Sequence, residues 1–404
     1  MSIILWLMTT PLTAQLLLIL TILLCQGCNA PAQSPISGHI EMHPEWKPII
    51  YLVQPRSFSE IASNYLGIVI DSIVISADGK FAFENIKFTT ESALLQLVIQ
   101  KKGARFANYL ADEIPGEANY MLLLFIKSNE IKIEADAAAF QKSFSIAQPS
   151  SCNEAILSLR TIRLNAFDVL QSETGEETEA DSMLIEKEDA YRRYAQAMMD
   201  FADTTQCIEA AMLAIRWISP TGDFERIPEF VTSQCQKWKE KEPGHPYSNQ
   251  LCVAADKNKL PVMVGDIIPD YLLPLVSGDT TRLSKILGTR LTLVDIWASW
   301  CAPCRKENKM VLAPLYDAYQ AKGFQIIGYS IDNSLHAWNE AITKDKITWK
   351  QASHLSGDST PFLEALHIST IPANFILDAE GNVIAKNLFG KDLTDFVNNR
   401  LGKR

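Results

Sequence analysis

Two cysteines three residues apart, Cys301 and Cys304, are the residues of this sequence best suited to perform chemistry. An apolar run that ends at Ala298 predicts a buried strand, and the residues from Ala302 onward predict a helix. At a spacing of i, i+3 the two side chains share one face of the first helical turn, close enough to form a disulfide. The pattern predicts a redox disulfide that cycles between the oxidised and the reduced state.

The position of each cysteine relative to the helix predicts its role. Unpaired backbone N–H groups and the positive end of the helix dipole stabilise a thiolate at Cys301, which we expect to be the attacking sulfur. Cys304 lies one turn deeper and is predicted to resolve the mixed disulfide. Pro303 fixes φ and removes one backbone donor, which limits the stabilisation of the thiolate.

The residues around this pair resemble those of TlpA/ResA-type envelope thiol–disulfide oxidoreductases. The resemblance rests on the strings DIWASWCAPCRKE (295–307) and TIP (370–372), and it extends over residues 264–404. It implies an α/β thioredoxin-like C-terminal domain, for which the sequence sets bounds of 263–404. The alternation of strand and helix patterns in this part of the chain agrees with that class.

The same resemblance implies roles for two carboxylates and one proline. Asp295 matches the buried aspartate that takes or relays the proton of the resolving cysteine, and burial raises the pKa of such a group. Glu307 matches a glutamate near the active site. The alternative for each is a carboxylate in solvent without a catalytic role. Pro372 matches the cis-proline that offers the backbone of Ile371 to an extended substrate. The side chains predicted to contact substrate are Trp300, Pro303, Ile371 and Pro372.

The rest of the chain divides into a β part and a helical part. Alternating apolar residues predict a small β domain over 36–145, and apolar residues at spacings of three and four predict a helical domain over 150–260. The β part resembles the small domain that precedes thioredoxin-like domains in Bacteroidetes envelope proteins. The strings that carry this resemblance are VIDS (69–72), DGKFAF (78–83) and SNEIKI (128–133).

Four cysteines lie in the helical part. If the helices around residues 206–218 and 226–239 pack antiparallel, Cys207 lies opposite Cys235, which makes the two a candidate structural disulfide in an oxidising compartment. The alternative is two separate core cysteines. Cys152 and Cys252 flank the region, and the sequence indicates no partner for them.

Metal and haem sites are disfavoured around the dithiol. Zinc needs four ligands, and no second close pair of Cys or His accompanies Cys301 and Cys304. Covalent haem attachment needs a histidine directly after the second cysteine, where this chain has Arg305. The sequence therefore predicts no metal and no cofactor.

The first 28 residues predict export. No charged residue precedes Glu41, the run LLLILTILL (16–24) suits a signal-peptide core, and Gly27-Cys28 resembles a bacterial lipobox, which implies lipidation of Cys28. The alternatives are an uncleaved anchor over 3–25 or an ordinary signal peptide. In each case the remaining chain is expected in the oxidising cell envelope or periplasm.

Composition and resemblance together narrow the function. The 404 residues contain 37 Lys and Arg against 47 Asp and Glu, a net charge of −10 that disfavours nucleic-acid binding. The resemblance implies a membrane-anchored oxidoreductase that reduces exported cysteine-containing proteins, apocytochromes among them, and is recharged by a membrane electron donor. A peroxiredoxin-like peroxidase and a non-catalytic, lipid-anchored interaction protein remain the alternatives.

Overall fold

The structure is a computed structural model that describes residues 35–63, 66–84, 86, 90–104, 110–174 and 184–402. The predicted export segment with Cys28 lies outside these residues. Within the described ranges, every helix is too short or too polar to cross a bilayer.

Among the described residues of the first part of the chain, eight strands form two four-stranded sheets. One sheet has the order β4-β1-β7-β8 and the other β3-β2-β5-β6. At the turn before β4, Gly79 has φ +80° and a Cβ there would lie 2.6 Å from the Ile40 carbonyl oxygen, so the turn needs glycine. The strands are β1 Ile36–Glu41, β2 Trp46–Gln54, β3 Ile68–Val74, β4 Lys80–Phe83, β5 Ser92–Lys101, β6 Tyr120–Ile126, β7 Ile131–Asp136 and β8 Ser145–Ala147.

Apart from one short helix between β7 and β8, the helices follow the strands, and both parts share one continuous core. Arg163 of α2 forms a buried ion pair with Glu113, which precedes β6, and the Trp217 indole N–H donates to the Tyr120 hydroxyl at 2.7 Å. These bonds satisfy polar groups at the boundary between the sheet and the helices. The helices are α1 Phe140–Ser143, α2 Ser151–Thr174, α3 Leu184–Thr204, α4 Ile208–Ile218, α5 Pro228–Lys241 and α6 Pro246–Ala254.

The disulfides of the helical part differ from the predicted one. Cys207 bonds to Cys152 and Cys235 bonds to Cys252, so the predicted Cys207–Cys235 pair is wrong. The physical reason is helix placement: α5 packs mainly against the short helix α6, which carries Cys252, instead of lying along α4. Cys207, at the start of α4, meets the start of α2, with Cα atoms 5.3 Å apart in the Cys152–Cys207 pair.

A second, separate core belongs to the C-terminal part. A hairpin leads into a five-stranded mixed sheet with the order β13-β12-β11-β14-β15, whose central strand β11 is buried along its whole length. Short helices alternate with these strands. The elements are β9 Leu272–Pro274, β10 Thr280–Arg282, β11 Leu291–Trp297, α7 Ala302–Glu307, α8 Ala313–Tyr319, β12 Phe324–Ser330, α9 Leu335–Lys344, β13 Lys350–Ala352, α10 Pro361–Leu366, β14 Ala373–Leu377, β15 Val383–Lys386 and α11 Gly390–Leu401.

The long helix after the cysteine pair is interrupted. The turn Asn308–Leu312 is a π-helix between α7 and α8, and Pro314 lies in the first turn of α8. Proline has no N–H and its ring crowds the carbonyl four residues earlier, so a regular α-helix through this position is disfavoured. The wider π turn accommodates Pro314 while the chain continues in one direction.

Candidate functional site

The cysteine pair lies at the end of the central strand. β11 delivers the chain to Ala298, and the Cys301 N–H donates to the Ala298 carbonyl at 3.1 Å to close a tight turn. Cys301 is the N-cap of α7, and its Sγ accepts the Cys304 N–H at 3.3 Å. The two sulfurs form a disulfide, and Cys301 (5% exposed) is slightly more accessible than Cys304 (2%). The local backbone therefore gives Cys301 the environment that favours a thiolate.

Two residues that the sequence did not indicate hold this turn. Asp332, which follows β12, accepts hydrogen bonds from the Ser299 N–H at 2.9 Å and from the Ser299 hydroxyl at 2.5 Å. Arg305 of α7 donates to the Ser299 carbonyl at 3.1 Å. Because the N–H, the hydroxyl and the carbonyl of Ser299 all have hydrogen-bond partners, the turn before Cys301 is held against the sheet. Only the parallel pairing of β11 with β12 brings Asp332 there.

Arg305 is in turn held by Asp345, at the C-terminus of α9. The Asp345 carboxylate accepts from the Arg305 guanidinium and lies 2.9 Å from the Lys309 ammonium of the π turn. Burial disfavours the ionised form of Asp345 and on its own would raise its pKa. The hydrogen bonds from Arg305 and Lys309 outweigh this effect and hold the pKa of Asp345 below its usual value. The ion pairs thus join the α7–α8 helix to α9 directly behind the cysteine turn.

Asp295 lies buried on β11, where Gly328 and Asn374 are its neighbours on the two flanking strands. Burial, with a smaller contribution from the negative charge of Glu307, raises the pKa of Asp295 to about 8. A carboxyl group with this pKa carries a proton at neutral pH and can exchange it with a nearby thiol. The sequence-based alternative of a solvated carboxylate does not describe this position.

Glu307 is also buried, at the last position of α7. One carboxylate oxygen accepts the Gly390 N–H at 2.8 Å, where the last helix, α11, begins. Glu307 therefore links the cysteine helix to the C-terminal helix, and its negative charge contributes to the raised pKa of Asp295.

The proline loop lies at the same end of the sheet as the cysteines. β14 pairs antiparallel with β11, with Ala373 opposite Ile296, so the peptide bond between Ile371 and Pro372 lies just beyond the end of β11. This bond is cis, which is the geometry that the resemblance implied. Both residues are half-buried. The backbone of Ile371 lies beside the turn that carries Cys301.

The helical part contacts this loop through residues that the sequence did not indicate. Glu225, between α4 and α5, accepts hydrogen bonds from the Ser369 N–H at 2.9 Å, the Ser369 hydroxyl at 2.7 Å and the Thr370 N–H at 3.0 Å. The neighbouring Arg226 donates to the Pro372 carbonyl at 3.2 Å. Nothing in the local sequence marks Glu225, because its partners lie more than 140 residues later.

The surface around the cysteines is apolar and basic. Trp300 is 66% exposed and Met310 is 70% exposed, although both are large apolar side chains. With Arg305, Lys306 and Lys309 they line an open cavity of about 460 Å³. Large apolar side chains exposed together along one concave surface are typical of an interaction site. Of the predicted substrate contacts, Trp300 is thus the most accessible, whereas Pro303 is buried within α7.

Residues 264–386 match the AhpC/TSA family. The thiol-disulfide oxidoreductase ResA of Bacillus cereus is 26% identical over 132 residues, which are 33% of this chain and 72% of that protein. The thiol:disulfide interchange protein DsbE of Pseudomonas fluorescens is 37% identical over 74 residues, 18% of this chain and 39% of that protein. The C-terminal part is a TlpA/ResA-type thioredoxin-like domain. The thioredoxin domain of a Bacteroides vulgatus thiol-disulfide oxidoreductase is 32% identical with a TM-score of 0.33, covering 35% of this chain and 99% of that structure.

The fold class predicted for this thioredoxin-like domain is confirmed, and so is the prediction that the protein is a thiol–disulfide oxidoreductase. The bounds of the β and helical parts and the roles of individual residues stay predictions. Among the described residues, Cys152, Cys207 and Glu209 form a group whose potential metal-ligand atoms lie within 4.8 Å of one another. The two sulfurs of that group are bonded to each other, so the oxidised protein offers no thiolate ligands there.

Proposed function

We propose that the thioredoxin-like domain reduces disulfides of exported cysteine-containing proteins through Cys301 and Cys304. The observation that carries the proposal is the pairing of an N-capping sulfur with a buried acid. The Cys301 Sγ accepts a backbone N–H at the start of α7, and the central strand that leads to it carries Asp295, whose pKa is about 8. The first group favours a thiolate, and the second exchanges a proton near neutral pH.

The reaction proceeds in two exchanges. The Cys301 thiolate attacks one sulfur of the substrate disulfide, which forms a mixed disulfide and releases the other substrate sulfur as a thiolate. Asp295 in its carboxylate form takes the proton of Cys304, and the resulting thiolate attacks the Cys301 sulfur. The bond to the substrate breaks, the second substrate sulfur leaves with its electron pair, and the Cys301–Cys304 disulfide forms. Two electrons pass to the substrate, and its two thiolates take up protons from solvent.

Substrate docking uses the surface around the cysteines. We place an extended segment of the substrate against the backbone of Ile371, with its flanking side chains on Trp300 and Met310. The exposure of these two large side chains supports this placement. Pro303 and Pro372 then shape the groove by fixing the backbone on both sides of the reacting sulfurs.

The N-terminal segment bears on where in the cell the protein acts. We propose that residues 1–28 direct export and that lipidation of Cys28, or an uncleaved anchor, holds the protein at the membrane of the cell envelope. A membrane electron donor then returns the disulfide to the dithiol. The apolar run 16–24 and the Gly27-Cys28 pair support this part of the proposal.

Trapping of the mixed disulfide tests the reaction. Cys304→Ala removes the resolving sulfur, so we expect this variant to accumulate a covalent adduct with an exported protein through Cys301. The measurement is non-reducing electrophoresis of envelope extracts followed by mass mapping of the linked peptides. Cys301→Ser should form no adduct and should lose insulin reduction.

The two alternative functions have their own signatures. Consumption of peroxide at a rate above that of disulfide reduction would favour a peroxidase. Insulin reduction at the full rate in Cys301→Ser, or an adduct that does not depend on Cys301, would contradict the proposal and favour an interaction protein.

A further inference from the structure

The Cys152–Cys207 disulfide has surroundings that resemble those of the catalytic pair. Cys207 is the N-cap of α4, and its Sγ accepts the Ala210 N–H at 3.3 Å. Cys152 is the second residue of α2, so this sulfur also lies at the start of a helix. A sulfur at this position is stabilised as a thiolate, and therefore as a leaving group, by the backbone N–H groups.

A carboxyl group contacts both sulfurs. The Oε2 atom of Glu209 lies 3.4 Å from the Sγ of Cys152 and 3.4 Å from the Sγ of Cys207. Burial raises the pKa of Glu209 and the charge of Glu242 adds to this effect, although a backbone hydrogen bond opposes them. The protonated form is therefore favoured relative to a solvated glutamate. A carboxylic acid at this distance can donate its proton to a departing thiolate.

The second disulfide of the helical part has a different environment. Cys235 lies in the middle of α5 and Cys252 in the second half of α6, so neither caps a helix. In the described part of the chain, no side-chain hydrogen bond reaches either sulfur. Cys152, Cys235 and Cys252 are half-buried, whereas Cys207 is buried, so accessibility does not favour faster reduction of Cys152–Cys207. The difference lies in the helix N-terminus and in the carboxyl group.

We propose that Cys152–Cys207 is a second redox-active disulfide, reduced by a dithiol with Glu209 as the proton donor. A thiolate of the dithiol attacks the more accessible Cys152 sulfur, and the Cys207 thiolate leaves and takes the proton of Glu209. The second thiolate of the dithiol attacks the mixed disulfide and releases Cys152, which takes a proton from solvent. Two electrons pass to the pair, and the reductant becomes a disulfide. Reoxidation reverses these steps, with Glu209 as the base.

Differential alkylation of the folded full-length protein tests this proposal. The oxidised protein is treated with dithiothreitol without denaturant, quenched over time with a labelled alkylating reagent, and mapped by mass spectrometry. The Cys235–Cys252 disulfide of the same molecule is the internal control. We expect Cys152–Cys207 to be reduced at least about tenfold faster than this control, because thiol–disulfide exchange follows the stability of the leaving thiolate. Equal rates for the two pairs would overturn the proposal.

Two matched variants test the role of the carboxyl group. Glu209→Gln preserves shape and removes the acid, and we expect it to slow reduction of Cys152–Cys207 about threefold to tenfold without changing Cys235–Cys252. Glu154→Gln removes an exposed charge two residues from Cys152 and should change neither rate. An unchanged rate in Glu209→Gln, with circular dichroism showing a native fold, would contradict proton donation by Glu209.

One more variant shows whether the reducing dithiol is the protein's own Cys301–Cys304 pair. In Cys301→Ser/Cys304→Ser with glutathione as reductant, slower reduction of Cys152–Cys207 than in wild type identifies the protein's own dithiol as the relay. An equal rate identifies direct attack by the small thiol. Failure of Cys152–Cys207 to be reduced in either protein counts against the proposal, whereas insulin reduction by wild type still tests the catalytic pair separately.

Discussion

At the scale of single residues, the environment of each side chain decides its chemistry. Cys301 and Asp295 are ordinary residue types, but a helix N-terminus favours the thiolate of the first and burial favours the neutral form of the second. Cys301 is therefore suited to react as a thiolate, and Asp295 is suited to exchange a proton near neutral pH. Glu307, whose negative charge is near Asp295, contributes to this matching.

Asp295→Asn should change both stability and its pH dependence. The pKa of Asp295 rises from 3.8 to about 8 on folding, so the folded state retains a proton that the unfolded state loses between these values. The free energy of unfolding of the oxidised protein should therefore fall from pH 4 to pH 8, by about 1.4 kcal/mol per pH unit at most. Asparagine does not titrate, so the variant should be more stable than wild type at pH 7, on the order of 4 kcal/mol.

Urea unfolding at pH 4.5 and 7.5 measures this effect, and parallel pH curves for the two proteins would show that Asp295 ionises normally. The same variant should reduce insulin slowly, because Cys304 loses its proton acceptor. In wild type the rate of the resolving step should rise with pH through about 8, and in Asp295→Asn that rise should disappear.

At the scale of elements, some features follow from local sequence and others do not. The strand β11 and the helix start at Cys301 follow closely from the sequence, because apolar runs and the cysteine spacing act within a few residues. The cis geometry of the proline loop was expected from the resemblance alone. The helix predicted from Ala302 onward is divided by the π turn Asn308–Leu312, which lies just before Pro314. The partner of Cys235 was missed because the short helix α6 was not recognised, and its packing against α5 depends on contacts that no local pattern encodes.

Asp345→Asn should loosen the junction between the cysteine helix and α9. The carboxylate is fully buried and neutralises Arg305 and Lys309, so its loss leaves two cations without their partner. We expect the free energy of unfolding to fall by about 1–3 kcal/mol at pH 7. Because the pKa of Asp345 is lowered on folding, this difference should be present above the unfolded pKa and vanish as the pH falls through the folded value.

The matched control for Asp345→Asn is Glu340→Gln on the same helix. Glu340 pairs with Lys344, and both side chains are more than half exposed, so the change should barely alter the free energy of unfolding. Denaturant unfolding of both variants at pH 7 and pH 3 checks the pair. Equal destabilisation by the two substitutions would show that the buried ion pair makes no special contribution.

At the scale of the whole molecule, the helical part packs against the proline loop of the thioredoxin-like domain. The segment between α4 and α5 reaches the proline loop through Glu225 and Arg226, and Lys386 of β15 forms an ion pair with Glu229 of α5 at 2.9 Å. Arg192 of α3 contacts Asp392 of α11 at 3.0 Å. These contacts run along one edge of the thioredoxin-like domain. The helical part therefore contacts directly the loop that we propose receives the substrate.

Glu225→Gln should weaken the binding of protein substrates more than it slows the chemistry. Glu225 fixes the N–H groups of Ser369 and Thr370 directly before Ile371, so the backbone that receives the substrate is ordered in advance. The amide lacks the charge that strengthens these bonds, and docking then pays more conformational entropy. We expect KM for insulin to rise about threefold to tenfold, equivalent to about 0.7–1.4 kcal/mol, with kcat nearly unchanged.

Reduction of a small aromatic disulfide, which needs no backbone pairing, should keep the wild-type rate. Glu364→Gln, an exposed change on α10, is the control and should alter neither assay. A fall in kcat for both substrates would instead place the effect of Glu225 on the cysteines themselves.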